Sequence, residues 1–492
     1  MIVGAAALAL TAGTACTASG AKLPDGFLIR PGQDVLLFGD SIIAPGMYGY
    51  VCNSLLDRLY PDSGVTFHCY GRAGATAESI LPFVPKALEG KQYDWVLINF
   101  GHNDAGRFTA DEFKESCGTL IEEIRKFSDA RLGWMGVVGS EPTAFADEPG
   151  QEKRAERLRQ SRAKHAALAQ ASKEFCQERN IAYVPLHEEV DRLLHEREEQ
   201  GLKVMFTMDA SHPNLVGNWL IGAALLQALG LRPEPMTIEV LQGEATSDHG
   251  RLPVPTLEEP LELRFKGLFL RVRLVPPAHR RTVCPRVEKT VVLDGRLGDW
   301  EGIPEHTIAA PDYVTWELVP RCAASYAASM RTCWDGENLY LAFRIREPEL
   351  GEGTFFPEII EVFIDARKHT SRSGNVWRRT KGLTQYCFHR DFRDAEKGPT
   401  VKVMVNGDRE QGEGVRAAVA RTDEGYALEA AIPLGSLRQI EAGPGTILPW
   451  NWAVSFTDQS VNLDWLGLMS RSQSTRGYGE LILGPVPNRQ EQ

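Results

Sequence analysis

The chain of 492 residues is short of several things that would have set its class at once. Its nine cysteines contain no CxxC pair and no Cys/His cluster at zinc spacing, so no structural metal site is expected. No EF-hand-like spacing is present either, and no cofactor is implied. Basic residues are outnumbered, 54 Lys and Arg against 65 Asp and Glu, and the formal charge of −11 argues against a nucleic-acid partner, which would want a basic face. Beyond the first residues no run reaches the roughly 20 apolar positions of a membrane-spanning helix.

What is present begins with a segment free of charge. Met1 to Ser19 is built from Ala, Gly, Thr and Leu, with Ile2, Val3, Leu8 and Leu10 at its apolar centre. It is too short to span a bilayer and fits an export signal over residues 1–21, with Gly13 and Ala15 as small residues before Cys16. The expected location is secreted or periplasmic, with Cys16 as the site of a lipid anchor in the lipoprotein variant of that signal. A packed Ala-rich arm is the alternative. In an exported chain some cysteines would pair, and their connectivity stays open.

The length exceeds what one core usually supports, which predicts at least two domains. Over residues 22–232 short apolar runs (Val35 to Phe38, Val65 to Phe67, Trp95 to Ile98, Leu132 to Val138, Ile181 to Val184) alternate with helical periodicities at Asp111 to Phe127 and Gln151 to Arg179. Apolar strands separated by helices predict a parallel sheet covered on both faces, a doubly wound α/β sandwich. Residues 233–286 are punctuated by proline and read as a linker or a small β module. From 287 to 486 the pattern turns to alternating strands divided by turn signals such as Asp335-Gly336, which predicts a β-sandwich.

The chemistry-bearing residues sit where the predicted strands end. The first strand runs into Gly39-Asp40-Ser41, the second into Gly71-Arg72-Ala73-Gly74, and the third into Gly101-His102-Asn103-Asp104. Open α/β sheets bind ligands beyond the carboxyl ends of their strands, so these loops should share one crevice. Near the domain's end comes Asp209-Ala210-Ser211-His212-Pro213, ahead of an apolar helix from Asn214 to Leu229. Each piece has a plain structural reading: Ser41 and Asp209 as helix caps, Asn103 as a turn former, His212 as a helix-entry residue. Asp40 reads as a local hydrogen-bonding residue, and His68 and His165 as surface or structural. The loop Gly139 to Phe145 either lines a pocket or simply connects. The absence of GxSxG removes the α/β-hydrolase nucleophile elbow as a template.

Taken in order, Gly39-Asp40-Ser41, Gly74, Gly101-His102-Asn103-Asp104 and Asp209-Ala210-Ser211-His212 resemble the four blocks of the SGNH (GDSL) hydrolase family, over roughly residues 30 to 232. The resemblance implies a flavodoxin-like three-layer α/β/α sandwich and ester hydrolysis. It implies Ser41 as nucleophile, His212 as its base and Asp209 as the carboxylate orienting the imidazole. The oxyanion hole would comprise the backbone N–H groups of Ser41 and Gly74 and the side-chain amide of Asn103. His102 falls on the variable position of its block.

Residues 287–486 resemble the family 9 carbohydrate-binding modules and DOMON-type sandwiches. The carriers are Leu293-Asp294-Gly295 through Trp300, Trp334-Asp335-Gly336 through Phe343, Ile360 through Asp365 and Gly425 through Pro433. Sugars stack on exposed rings. Among the ten tryptophans, Trp300, Trp334 and Trp452 read as core, while Trp377 and Trp465 lie in polar surroundings and read as contact candidates. The expected partners are an acylated carbohydrate or other ester and, through the rear domain, a polysaccharide. A carbohydrate deacetylase is the leading expectation. A lipid or thioester hydrolase with the same triad, and a carbohydrate-binding protein with an inactive hydrolase half, are the rivals.

Overall fold

The computed structural model describes residues 22–141, 152–202, 204–207, 210–241, 260–275, 281–288, 291–310, 314–317, 320–347, 359–366, 383–391, 400–405, 414–437, 441–456, 461–465 and 478–485. The N-terminal unit alternates strand and helix. Its strands are β1 (Asp34–Gly39), β2 (Thr66–Gly71), β3 (Trp95–Asn99), β4 (Arg131–Met135) and β5 (Ala182–Val184). Its helices are α1 (Met47–Leu59), α2 (Val84–Leu88), α3 (Ala110–Arg125), α4 (Glu152–Arg179), α5 (Leu186–Glu199) and α6 (Leu215–Ala228).

The five strands form one parallel sheet in the order β2-β1-β3-β4-β5. The flavodoxin-like expectation is met. In this topology the order reverses beside β1, and the switch leaves a crevice over the carboxyl ends of β1 and β3. One sheet face packs under a cluster with Leu36, Phe38, Ile98 and Trp134, and the opposite face under Val35, Leu37 and Leu97. Local chemistry sets the helix starts. Thr109 closes a capping box with Glu112 ahead of α3, and Asn214 accepts the Gly217 N–H at 2.8 Å ahead of α6. Nearly every residue of α6 is buried, which explains why its sequence is apolar all round.

Strands β6 (Met236–Leu241), β7 (Leu261–Leu263) and β8 (Leu270–Val275) make a three-stranded sheet ordered β6-β8-β7. It is seated against α5: Gln200 Nε2 donates to the Arg264 carbonyl at 3.1 Å and Arg192 Nη1 to that of Lys266 at 2.6 Å.

The C-terminal unit continues with β9 (Arg281–Cys284), β10 (Glu305–Ala309), β11 (Val314–Glu317), β12 (Ala327–Trp334), β13 (Asn338–Arg346), β14 (Ile359–Asp365) and β15 (Leu383–Asp391). It ends with β16 (Thr400–Val405), β17 (Arg416–Thr422), β18 (Gly425–Pro433), β19 (Ile447–Ser455), β20 (Val461–Asp464) and β21 (Gly479–Leu483). One sheet is ordered β10-β12-β13-β18-β17, and the other β11-β20-β19-β14-β15-β16 with β21 and β9 attached. Phe343 of the first meets Trp452 of the second at 5.7 Å between ring centroids.

Trp300, Trp334 and Trp452 are buried, as expected. Trp465 corrects the sequence reading, being only 4% exposed. Its backbone N–H donates to the Trp452 carbonyl at 3.0 Å and its ring packs 5.5 Å from Trp450. The chain there still runs alongside β19, so strand alternation, not the polar neighbours, sets which way the ring points. Trp377 lies outside the described residues.

The sandwich meets the N-terminal unit through Arg321. Its guanidinium holds Asp57 at 2.8 Å, the Thr66 hydroxyl at 2.8 Å and the Val65 carbonyl at 2.8 Å.

Candidate active site

The turns after β1 and β2 are pressed together. A Cβ on Gly71 would run into the backbone of Asp40 and Ala44, and one on Gly39 into the Asn99 carbonyl. These contacts fix the direction in which Ser41 leaves the sheet. Its Oγ lies 2.9 Å from Nε2 of His212, 171 residues later in the chain. That is hydrogen-bond range for an alcohol and an imidazole.

Beside Ser41 stand polar hydrogens with nothing to bond. Among the described residues the backbone N–H groups of Ser41 and Gly74 have no acceptor. Gly74 has φ +72, and a Cβ placed there would meet nothing within 4 Å, so its backbone borders open space. The Asn103 amide is oriented by two acceptors, the Ala75 carbonyl at 3.0 Å and Asp40 Oδ2 at 3.3 Å. Ser41, Gly74, Asn103 and His212 thus come together from four separate loops. Asp209 lies outside the described residues.

Two buried carboxyls support these loops. Asp40 accepts the Ile42 N–H at 2.9 Å as well as the Asn103 amide, the local role its sequence suggested. Burial pushes its carboxyl up to about 7, with the charge of Asp104 adding to the shift. Asp104 accepts the N–H groups of Ala77 at 2.9 Å and Gly101 at 3.0 Å, tying the loop after β2 to the loop after β3. Burial raises it too, to about 6.

The loop carrying His212 has an anchor that sequence reasoning missed. Of the loop Gly139 to Phe145, only Gly139, Ser140 and Glu141 are described. Glu141 is fully buried and faces this second loop. Its carboxylate accepts the N–H groups of Phe206 at 3.2 Å and Thr207 at 3.1 Å and the Thr207 hydroxyl at 2.5 Å, and it is ion-paired with buried Arg197. The Glu141 N–H donates to the Ala210 carbonyl at 2.8 Å. Ala210 itself adopts φ +73, a left-handed conformation unfavourable for a residue with a Cβ. The loop is then closed by a bridge between Thr207 and Pro213 and by Asn214 Nδ2 donating to the Met205 carbonyl at 2.8 Å. A lone glutamate between an apolar strand and a proline was the available signal.

Behind Asn103, the His102 ring stacks on that of His165 at 4.6 Å. His165 Nε2 lies 3.2 Å from the His102 carbonyl, while its Nδ1 accepts the Ser140 N–H at 3.4 Å, which fixes a neutral tautomer. Burial holds His165 down to about 3. His68 bonds Asp34 at 2.9 Å at the other end of the sheet. Among the described residues no three His, Cys, Asp or Glu side chains converge as a metal site, and no helix is long and apolar enough to cross a membrane.

Residues 37–220 match the family model described as GDSL-like Lipase/Acylhydrolase family, and residues 294–447 match that described as Carbohydrate family 9 binding domain-like. Among solved structures, the chain is similar to a catalytic mutant of an acetylxylan esterase from Geobacillus stearothermophilus, with 19% identity, 41% of this chain and 96% of that chain covered, and a TM-score of 0.33. It is also similar to a hydrolase from the metagenome of Lake Arreo, with 19% identity, 42% and 98% covered, and a TM-score of 0.33. A family 9 carbohydrate-binding module from Caldicellulosiruptor kristjanssonii in complex with cellotriose shares 18% identity, with 43% and 98% covered and a TM-score of 0.31. A comparison with curated proteins finds no match.

Proposed function

We propose that this chain is an exported serine esterase that removes acyl groups, foremost acetyl, from a polysaccharide or oligosaccharide. The observation that carries the reading is the 2.9 Å approach of Ser41 Oγ to His212 Nε2 beside the unbonded N–H groups of Ser41 and Gly74. The acylhydrolase match over residues 37–220 supports the reaction class. The carbohydrate-binding match over 294–447 supports a glycan as the acyl carrier, held near the site by tethering.

In this mechanism Ser41 Oγ attacks the ester carbonyl carbon while its proton passes to His212 Nε2. Asp209 orients the imidazole and balances the imidazolium. The carbonyl oxygen becomes an oxyanion and takes hydrogen bonds from the N–H groups of Ser41 and Gly74 and the Asn103 amide, which releases one of its present acceptors. Collapse expels the sugar oxygen, which takes the proton from His212 and leaves an acyl-serine. Water, deprotonated by His212, then attacks that ester, and the acid departs as Ser41 regains its proton.

The test compares wild type with Ser41→Ala on nitrophenyl acetate and butyrate and on acetylated xylan. The expected result is release of acetate by wild type and a loss of ~10³-fold or more in the variant. Equal rates for the two proteins would overturn the proposal, and a preference for long acyl chains would replace it with the lipid-hydrolase reading.

A further inference from the structure

The outer face of the sheet β10-β12-β13-β18-β17 carries a cleft of about 550 Å³ whose walls are basic and whose floor is bare. Register explains the floor. Arg344 of β13 stands opposite Ala427 of β18, which stands opposite Ala420 of β17, while Arg346 stands opposite Gly425. A Cβ on Gly425 would run into the Ile345 carbonyl, so the strand approaches too closely there for any other residue. With only Ala420, Gly425 and Ala427 beside them on β17 and β18, the two arginines rise over an open trough.

The opposite wall is the segment from Gly295 to Leu297, and it is held in place by a buried acid. Glu429, with no exposed surface, accepts the N–H groups of Asp294 at 2.9 Å and Gly295 at 2.6 Å and the Trp300 indole N–H at 2.7 Å. Gly295 is pressed onto Ala420, where a Cβ would collide with the strand. This wall presents Arg296, whose guanidinium joins those of Arg344 and Arg346, alongside Asp423 and Glu424; Arg421 also borders the cleft, although it stands opposite Tyr426 and its side chain leaves β17 on the other face. All four arginines are exposed, and among the described residues those of Arg296 and Arg344 meet no acceptor. Among the described residues no aromatic ring lines the cleft, so these residues do not offer the stacking that holds neutral sugars.

We propose that this cleft binds a carboxylate-bearing saccharide, a hexuronic-acid unit of an acidic polysaccharide, with Arg296 and Arg344 as its carboxylate ligands. A chain of formal charge −11 concentrates Arg296, Arg344 and Arg346 against two acids at one place. Guanidinium groups bind carboxylates bidentately, and the hydroxyl groups of the sugar ring find donors and acceptors in Thr422, Asp423 and Glu424. That the carboxylate is carried on a sugar rests on the glycan reading of the C-terminal unit. The basic cleft does not.

Isothermal titration of the full chain with trigalacturonate, xylotriose and inorganic phosphate tests the assignment. Trigalacturonate is expected to bind saturably, ~10-fold more weakly in Arg344→Ala and in Arg296→Ala, and more weakly as salt rises. Both side chains are exposed, so melting temperatures should match wild type, and Arg344→Glu gives a charge reversal at the same place. No binding of trigalacturonate, equal binding of xylotriose, or indifference to all three substitutions would overturn the proposal. Phosphate binding without trigalacturonate binding would reduce the cleft to an inorganic-anion site and overturn the saccharide. Esterase activity of the same samples, read separately, reports on Ser41 and is expected to be unchanged on nitrophenyl acetate.

Discussion

The carboxylate of Glu141 accepts the hydroxyl of Thr207 at 2.5 Å, joining the loop after β4 to the loop that carries His212. Arg197 neutralises that carboxylate from α5, so the connection is a buried charge network, not a surface bond. Removing one partner of such a pair costs about 3–5 kcal/mol, because the other charge is left buried and alone. Glu141→Ala is expected to lower stability by that order and to reduce kcat more than it raises KM, since His212 loses its support. Thermal unfolding with kinetics on nitrophenyl acetate checks both, and an unchanged kcat would remove the link to His212.

Asn103→Ala deletes one of the three proposed oxyanion donors. A loss of ~10²–10³ in kcat is expected, with KM little changed, because the interaction forms as charge develops. Steady-state kinetics decide it, and a KM effect without a kcat effect would place Asn103 in ground-state binding instead.

Gly74→Ala separates backbone geometry from bulk. The added Cβ has open space, yet φ +72 costs a residue with a side chain about 1–2 kcal/mol. The variant is expected either to keep the conformation at that cost in stability or to relax and misdirect its N–H, lowering kcat. Wild-type values of both quantities would contradict the strained assignment.

Buried carboxyls and a buried imidazole should shape stability against pH in opposite directions. Asp40 is raised from its ordinary 3.8 to about 7, so from about 4 to 7 the folded chain keeps a proton the unfolded chain has lost, and stability falls as pH rises. Asp104, raised to about 6, acts in the same sense. His165 is lowered from 6.5 to about 3, so the unfolded chain takes up a proton the folded one refuses, and stability falls as pH drops through that window. Calorimetric melting between pH 4 and 7 should therefore show a steeper acid loss in Asp40→Asn than in wild type, and a shallower one in His165→Gln. Parallel curves for all three proteins would refute the shifts.

The sequence exposed the architecture because its signals are local. Continuous apolar runs such as Val35 to Phe38 mark central strands, Thr109 and Glu112 mark a helix start, and Asp335-Gly336 marks the turn at which β12 reverses into antiparallel β13. The same locality hid Glu141, whose partners at 206, 207 and 197 lie on two other elements. It also misled at Trp465, where polar neighbours stood for exposure although the backbone bond to Trp452 turns the ring inward.

By itself, then, the order of residues determined which strands exist, where they end, and which candidate groups stand beyond those ends (Ser41, Gly74 and Asn103) and ahead of the last helix (His212). Strand formation and turn chemistry depend on neighbours a few positions apart, so they can be read in line. Only the tertiary structure decided that an alcohol and an imidazole 171 residues apart come within 2.9 Å, and that Arg296 shares one cleft with Arg344 and Arg346. Distances of that kind are set by how strands are ordered and registered in a sheet, and many chain segments must agree on them at once.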